Sequence, residues 1–542
     1  MTNYEYWLTF DEQTKAELES ITDKAELEDR FYKELEFGTG GLRGVMGAGP
    51  NRMNNYTVAK ATKGLADYLN KEFGGGSVAV AYDSRNNSAA FAERAALVLC
   101  AEGIKVYLFD TLMPTPVLSF AVRHHNCTAG VIVTASHNPK EYNGYKVYDA
   151  KGCQLVPEYA DKVIAYVNAV TDLKSIAAMD IEEAKAKGML EYIGEATLDA
   201  FLAEVKTQSL YNEPSDLKIV YTPLHGTGNI PVRKVLEGKN VSIVASQELP
   251  DGNFSTVRSP NPEERDALNF ALVQMENEGA DIVIGTDPDC DRVGVGVRHN
   301  GESVLLTGNQ TGALLIDFIL KFKKDSMPEN AAVVKTIVTS GIGAAIAEKY
   351  GATTVQTLTG FKYIGDKICK WEDDGEYSYL FGYEESYGYL AGTHARDKDA
   401  VSASMLIAEM AAYHKNNGKT LVDALNGIYE EYGYYYDCLE NFVLKGKEGA
   451  EKIKAAMEAL RANANGIFDD LSEFIDYSKG VNGLPKENVL RFDFADGSWA
   501  AARPSGTEPK LKMYFSVKGE NSETAKAKQQ EISAKLVKVM GL

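Results

Sequence analysis

Across 542 residues no run approaches the roughly 18 consecutive apolar residues of a membrane span. Residues 1–11 lack a basic stretch followed by an apolar one, so the N-terminus does not read as a secretory signal. Glycine (48) and proline (16) together make up about 12 per cent, far below the roughly 25–30 per cent of low-complexity disordered chains. Only six cysteines occur, Cys100, Cys127, Cys153, Cys290, Cys369 and Cys438, with no C-x-x-C pair. That pattern speaks against a disulfide framework or a zinc site and for free thiols in a reducing, cytoplasmic setting. Positive charge is also short: 57 Lys and Arg stand against 77 Asp and Glu, a formal charge of −20. Nucleic acid is therefore an unfavourable partner, since its binding rests on cations that neutralise phosphates. A small anionic ligand remains compatible, because a pocket can be locally basic on an acidic protein.

What is present is ordinary for a globular protein: 44 per cent hydrophobic and 25 per cent charged residues. At about 150 residues per domain, the length suggests three to four domains. Three stretches repeat one order of an apolar β-type run, a polar or glycine-rich turn, an amphipathic helix and a second β-type run. They cover 77–109 (SVAVAYDS to IKVYLF), 217–246 (LKIVYTP, LHGTGN, VSIVAS) and 331–358 (AAVVKTIVTS, GIGAAIAEKYG, TTVQTL). Gly103, Gly238 and Gly351 follow the helices as stop signals. Such alternation predicts βαβ units and mixed, mainly parallel sheets in three related α/β domains. From 488 onward the pattern changes to β runs around the Asp496-Gly497 hairpin signal, a further strand LKMYFSVKG, and a helix over 522–540. This predicts a C-terminal α+β domain. The expected domains are 1–205, 206–322, 323–432 and 433–542.

Four strings could carry chemistry. Thr134-Ala135-Ser136-His137-Asn138-Pro139, followed by Lys146, comes directly after the apolar run AGVIV, so Ser136 leaves a buried strand into a loop. Two ordinary loop turns would look similar. A serine needs an activating neighbour or a transferable group, and His137 and Lys146 offer a base and a cation. Asp287-Pro288-Asp289-Cys290-Asp291-Arg292 follows a second apolar strand at 281–285. Pro288 disfavours a regular strand, so the carboxylates suit a loop wrapped around a hard divalent cation, and Mg²⁺ is held by few carboxylates plus substrate oxygens. A calcium EF-hand fails, because Arg292 and Arg298 stand where glycine and glutamate are required. Gly382-Tyr383-Glu384-Glu385-Ser386 could grip sugar hydroxyls, although two loop glutamates alone are more often just solvated. Arg396 and Lys398 nearby add cations. Arg503-Pro504-Ser505-Gly506-Thr507 combines a guanidinium, two hydroxyls and backbone N–H groups into a phosphate cradle, or is a plain turn between strands. The glycine-rich segments at 38–44 and 341–343 match neither a P-loop nor a dinucleotide fingerprint.

In this order the strings resemble the α-D-phosphohexomutase superfamily, from about Gly38 to Lys510. The resemblance implies four domains around a central cleft, with Ser136 phosphorylated in the working enzyme. Mg²⁺ would be held by Asp287, Asp289 and Asp291 and would touch the phosphoserine of Ser136. Glu384 and Ser386 would bind sugar hydroxyls, and Arg503, Ser505, Gly506 and Thr507 the non-reacting phosphate. His137 and Lys146 match positions of proton transfer and charge stabilisation, with the general base open between them. Arg43, Arg292 and Lys398 would also bind substrate. The implied reaction interconverts glucose 1-phosphate and glucose 6-phosphate through glucose 1,6-bisphosphate, which also acts as activator. Tyr383 stands where the family usually has glycine, and the N-terminal GTGGLRG…GAGPNRMN resembles a branch with phosphopentomutase-type enzymes. Mannose and pentose phosphates are therefore alternative substrates. A serine phosphatase is the rival enzyme reading, and a non-catalytic sugar-phosphate sensor the rival from another class. The expected partner is a small sugar phosphate, with no nucleic acid and no membrane, for a monomer or homodimer.

Overall fold

The computed structural model describes residues 2–38, 40–444, 446–505 and 510–542. The first sheet contains β1 (Leu42–Val45), β2 (Ser77–Tyr82), β3 (Lys105–Phe109), β4 (Ala129–Val133), β5 (Tyr142–Asp149) and β6 (Leu190–Ile193), in the order β1-β5-β4-β2-β3-β6. β4, β2, β3 and β6 run parallel, while β5 is antiparallel to both β4 and β1. β4 (AGVIV) is buried at every position, as expected for a central strand covered on both faces. The helices Asn55–Phe73 and Ser88–Ala101 supply much of the apolar cover, with Val58, Leu65, Leu69, Phe91 and Leu99 packed against Val78, Val80 and Val131.

The second sheet holds β7 (Lys218–Thr222), β8 (Asn240–Ile243), β9 (Ile282–Thr286), β10 (Val293–His299) and β11 (Glu302–Leu306), in the order β11-β10-β9-β7-β8. β7, β8 and β9 are parallel, and β10 and β11 return antiparallel. In the third region β12 (Ala331–Thr336) has parallel neighbours β13 (Thr353–Thr357) and β14 (Ser378–Glu384). β15 (Gly388–Ala391) follows in sequence. The fourth sheet is antiparallel throughout, with β16 (Tyr434–Val443), β17 (Leu471–Asp476), β18 (Leu490–Phe494), β19 (Trp499–Pro504) and β20 (Lys510–Gly519) in the order β16-β20-β19-β18-β17. Helices Gly446–Ile467 and Ser522–Met540 cover it through Leu460, Met457, Ile532 and Leu536.

All three expected βαβ repeats are present with parallel strands, and the C-terminal domain is antiparallel α+β. The chain forms two compact units. One comprises Met1–Leu306, Phe361–Gly375 and Gly388–Lys415, the other Thr307–Gly360, Glu376–Tyr387 and Asn416–Leu542. Helix Gly308–Lys323 opens at Thr307, whose side chain accepts from Gln310 N while Gln310 reciprocates, a capping box. This helix belongs to the unit of β12–β14, so the junction expected near 322/323 falls at the C-terminus of a helix that already belongs to the third region.

Tyr383, directly before Glu384, is wholly buried at the end of β14. A side chain at Gly312, or at Gly343 on the next helix, would run into the Tyr383 ring. Two glycines thus make the space that this tyrosine fills.

Candidate active site

Ser136 lies three residues beyond β4 in the left-handed region, at φ 51°. That conformation costs a non-glycine residue about 1–2 kcal/mol, so something must hold it. Thr134 does part of this. Its Oγ accepts from Ser136 N at 2.8 Å and donates to Asp83 Oδ2 at 2.6 Å. Arg85, paired with Asp83 at 3.3 Å with both side chains fully buried, donates to the carbonyls of Ser136, Asn138 and Pro139. The result is a rigid turn that aims the Ser136 hydroxyl at Asp287, to which it donates at 2.6 Å.

The aspartate loop connects β9 to β10. Asp287 Oδ1 accepts from the backbone N–H groups of Asp291 (3.0 Å) and Arg292 (2.9 Å), and Cys290 turns the chain at φ 52°. Pro288 is backed by the LHGTGN turn, where Thr227 N donates to Pro288 O at 2.8 Å and Gly226 has no room for a side chain. Asp289 Oδ2 accepts from Thr115 Oγ and from Lys146 Nζ, each at 2.9 Å. One oxygen from each of Asp287, Asp289 and Asp291 lies within 4.8 Å of the others, and all three residues are buried.

These charges perturb one another. Burial and repulsion from Asp289 and Asp291 push the Asp287 carboxyl well above its ordinary value. Burial would raise Asp289 too, but Lys146 outweighs it and holds that carboxylate far below the usual range. Lys146 stays an ammonium for the same reason: Asp289 at 2.9 Å and Asp291 at 3.6 Å overcome its desolvation. His137 places Nδ1 3.2 Å from Ser136 Oγ, and burial together with Arg292 and Arg43 drives its pKa well below the usual value. These causes keep its imidazole neutral. Lys398 Nζ sits 3.1 Å from Asp291 and from Asp397, and Arg292 pairs with Glu263 at 2.5 Å. Arg43 is exposed and donates to Asn138 Oδ1 at 3.3 Å.

The donor set fits a hard divalent cation. Three clustered carboxylates have only part of their charge balanced by Lys146 and Lys398, and the buried Oδ1 atoms of Asp289 and Asp291 have no hydrogen-bond partner among the described residues. Oxygen-only ligands in this number suit a hard divalent cation such as Mg²⁺.

The first unit therefore brings together Ser136, His137, Lys146, Arg43, Arg292, Lys398 and the three aspartates. The second unit contains the other expected residues. Glu384, nearly buried at the end of β14, accepts from Gly360 N at 2.9 Å, and half-buried Ser386 precedes Tyr387, which is left-handed at φ 64°. Arg503 on β19 donates to Glu487 at 2.8 Å, and Ser505 N donates to Lys510 O at 2.7 Å. Tyr514 on β20 ties these two loops electrostatically: burial and then Glu385, with Glu384 behind it, raise its hydroxyl pKa, while Arg503 opposes them. Gly506 and Thr507 lie outside the described residues. Asp83, Arg85 and Thr115 were not expected. A polar Asp-Ser-Arg directly after the buried strand SVAVAY is the same signal that marked the aspartate loop, whereas Thr115 carries no local signal.

Residues 34–174, 198–301 and 307–432 match the phosphoglucomutase/phosphomannomutase alpha/beta/alpha domains I, II and III, and 439–534 match the C-terminal domain of that family. The chain is 41% identical over 514 residues to a Phosphoglucomutase of Staphylococcus haemolyticus, covering 92% of each. It is 38% identical over 519 residues to that of Staphylococcus aureus, again covering 92% of each. Among solved structures it resembles an open-form parafusin (phosphoglucomutase) from Paramecium, with a TM-score of 0.71 at 20% identity over 94% of this chain and 96% of that one. A putative phosphomannomutase from Thermus thermophilus gives 0.69 at 24% identity over 93% and 99%. With matches to all four of the family's domains in order, the chain belongs to the phosphoglucomutase/phosphomannomutase family of sugar-phosphate mutases.

Proposed function

We propose that this protein is a phosphoglucomutase that interconverts glucose 1-phosphate and glucose 6-phosphate through a phosphoserine at Ser136 and a glucose 1,6-bisphosphate intermediate. The observation that supports this most is the Ser136 hydroxyl, fixed in a left-handed turn 2.6 Å from Asp287 beside two further buried carboxylates. The relatives named phosphoglucomutase support glucose as the sugar. In this reading Asp287, Asp289 and Asp291 hold Mg²⁺ together with Ser136. When bound, the ion would neutralise charge on the transferring phosphoryl oxygens. His137, 3.2 Å from Ser136 Oγ, and charged Lys146 together serve proton exchange with the reacting hydroxyl and stabilisation of the phosphoryl oxygens. Arg43, Arg292 and Lys398 meet substrate anions, Glu384 and Ser386 orient the sugar hydroxyls, and Arg503, Ser505, Gly506 and Thr507 bind the distal phosphate. The bisphosphate must turn end over end, so the distal clamp has to accept a phosphate from either sugar end. We read four domains with junctions near 206, 307 and 433.

The test is a coupled mutase assay over glucose, mannose, glucosamine and ribose 1-phosphates, with and without the matching bisphosphate. Glucose 1-phosphate should be preferred and the bisphosphate should activate. Mass spectrometry should find one phosphoryl group on Ser136, and Ser136→Ala should be folded and inactive. Full activity in that variant would overturn the covalent route, and release of inorganic phosphate without isomerisation would favour the phosphatase.

A further inference from the structure

Away from the catalytic residues, an open cavity of about 460 Å³ lies in the first unit, lined by Leu69, Tyr159, Cys153, Cys369, Lys151 and Lys370 among others. Two of the six thiols face it, from distant parts of the sequence. Cys153 follows β5, the strand that carries Lys146, and Cys369 lies on helix Phe361–Asp374. The Cys153 thiol donates to Lys362 O in the first turn of that helix at 3.3 Å. Its sulfur also lies 2.8 Å from where a side chain on Gly365 would begin. Cys369 is one helical turn beyond Gly365 on the same face, which places its side chain beside the Cys153 thiol. Each thiol is the strongest electrostatic neighbour of the other.

We propose that Cys369 and Cys153 form a peroxide-oxidisable thiol pair, in which Cys369 is the nucleophile, Cys153 the resolving thiol, and the product a disulfide that ties the loop after β5 to helix Phe361–Asp374. The Cys369 thiolate attacks one oxygen of hydrogen peroxide. The O–O bond breaks, giving a sulfenic acid and hydroxide. Cys153 sulfur then attacks the sulfenic sulfur, its proton leaves with the departing hydroxide as water, and the S–S bond forms. Two thiols are oxidised by one peroxide, which is reduced to two waters.

The environment assigns the two roles. The neighbouring Cys153 thiol lowers the Cys369 pKa, and the buried Arg396 guanidinium adds to this against burial and Asp149. Cys153 moves the opposite way, raised by Cys369, burial, Asp149 and Asp397. Burial pushes Cys100 and Cys127 up to about 11 and Cys438 up to about 12, and Cys290 is also raised. Cys438 is the more exposed thiol, yet Cys369 is the one disposed to ionise.

The experiment uses the full-length reduced protein at pH 7 and follows each cysteine by peptide mass spectrometry. Iodoacetamide should alkylate Cys369 at least about ten-fold faster than Cys438, Cys100 or Cys127. Dilute hydrogen peroxide should yield a Cys153–Cys369 linked peptide, two hydrogens lighter than its parts and reversed by dithiothreitol. In Cys153→Ser the same treatment should leave a sulfenic acid on Cys369 that dimedone traps. Because the wild-type measurements need no variant, a poorly folded Cys153→Ser does not remove the test. Faster alkylation of Cys438, or no linked peptide from wild type, would overturn the proposal.

Discussion

Thr134→Val tests whether the turn at Ser136, rather than its hydroxyl alone, makes the site. Valine keeps the shape of threonine, so no cavity opens, but two hydrogen bonds disappear. One is the charge-assisted donation to Asp83 at 2.6 Å, the other the acceptance from Ser136 N at 2.8 Å. Charge-assisted and neutral bonds are worth about 1.5–3 and 0.5–1.5 kcal/mol, so stability should fall by roughly 2–4.5 kcal/mol. That leaves a folded protein if total stability lies in the usual range of about 5–15 kcal/mol. The catalytic effect should be larger than such a loss alone implies. With its N–H unsatisfied, Ser136 has reason to leave φ 51°, and a displacement of about 1 Å at a reacting atom can cost about 100-fold. Steady-state assays should therefore show kcat down by about two orders of magnitude with KM for the sugar phosphate little changed, and Thr134→Ser should restore most of it. Equal kcat in the valine variant and wild type, with the stability loss present, would show that the turn does not depend on Thr134.

Three further perturbations follow from the same geometry. Asp289→Asn leaves Lys146 buried against a weaker partner, so unfolding by urea should show a loss of about 3–5 kcal/mol and mutase activity should be abolished even at high Mg²⁺. Gly312→Ala drives a methyl group into the Tyr383 ring and should destabilise by about 1–3 kcal/mol, and the double variant with Tyr383→Leu should recover part of that in a denaturation cycle. Lys335, fully buried beside Arg491, has its pKa pushed down to about 7 by burial and by that guanidinium. A depressed amine binds fewer protons folded than unfolded, so its penalty is full below pH 7 and disappears above the unfolded value near 10.5. Stability should thus rise by about 2–3 kcal/mol between pH 7 and pH 9 through this group, a slope that Lys335→Met should lack in urea titrations.

Much of this arrangement is legible in the sequence, for a physical reason. Strands buried on both faces read as short continuous apolar runs, and the polar residues directly after them must lie at strand ends. That places Ser136 after AGVIV and the aspartates after β9 without any structure. The hairpin at Asp496-Gly497 is equally local, and β18 and β19 flank it as expected. What was not legible depends on contacts between distant residues. Thr115 ligates nothing recognisable in its own neighbourhood, yet it bonds Asp289 from 174 positions away. β16 and β17 alternate weakly because their outer faces are half exposed, and helix Gly308–Lys323 reads as part of the preceding domain until its cap at Thr307 is seen.

The distribution of backbone strain points the same way as the chemistry. Ten non-glycine residues among those described have positive φ, and four are asparagines, for which the left-handed region is inexpensive. The other six are Ser136, Leu224, His225, Phe254, Cys290 and Tyr387. Five of them follow β4, β7, β9 or β14 within four residues, where a chain leaving a sheet must turn sharply. The sixth, Phe254, places its ring 4.9 Å from the Arg85 guanidinium that grips the Ser136 turn. A glycine at any of these positions would relieve the strain but would also free the turn. A side chain in the left-handed region, pinned by buried partners, holds the following atoms in one arrangement. In the first unit these turns fix the serine hydroxyl against the aspartates, and in the second the turn beside Ser386 follows Glu384. Strain of roughly 1–3 kcal/mol at each is stable only where the surroundings over-determine the conformation, as Asp83, Arg85 and Thr134 do for Ser136. The folded core thus supports strained turns at the same strand ends where the proposed phosphoryl transfer needs fixed geometry.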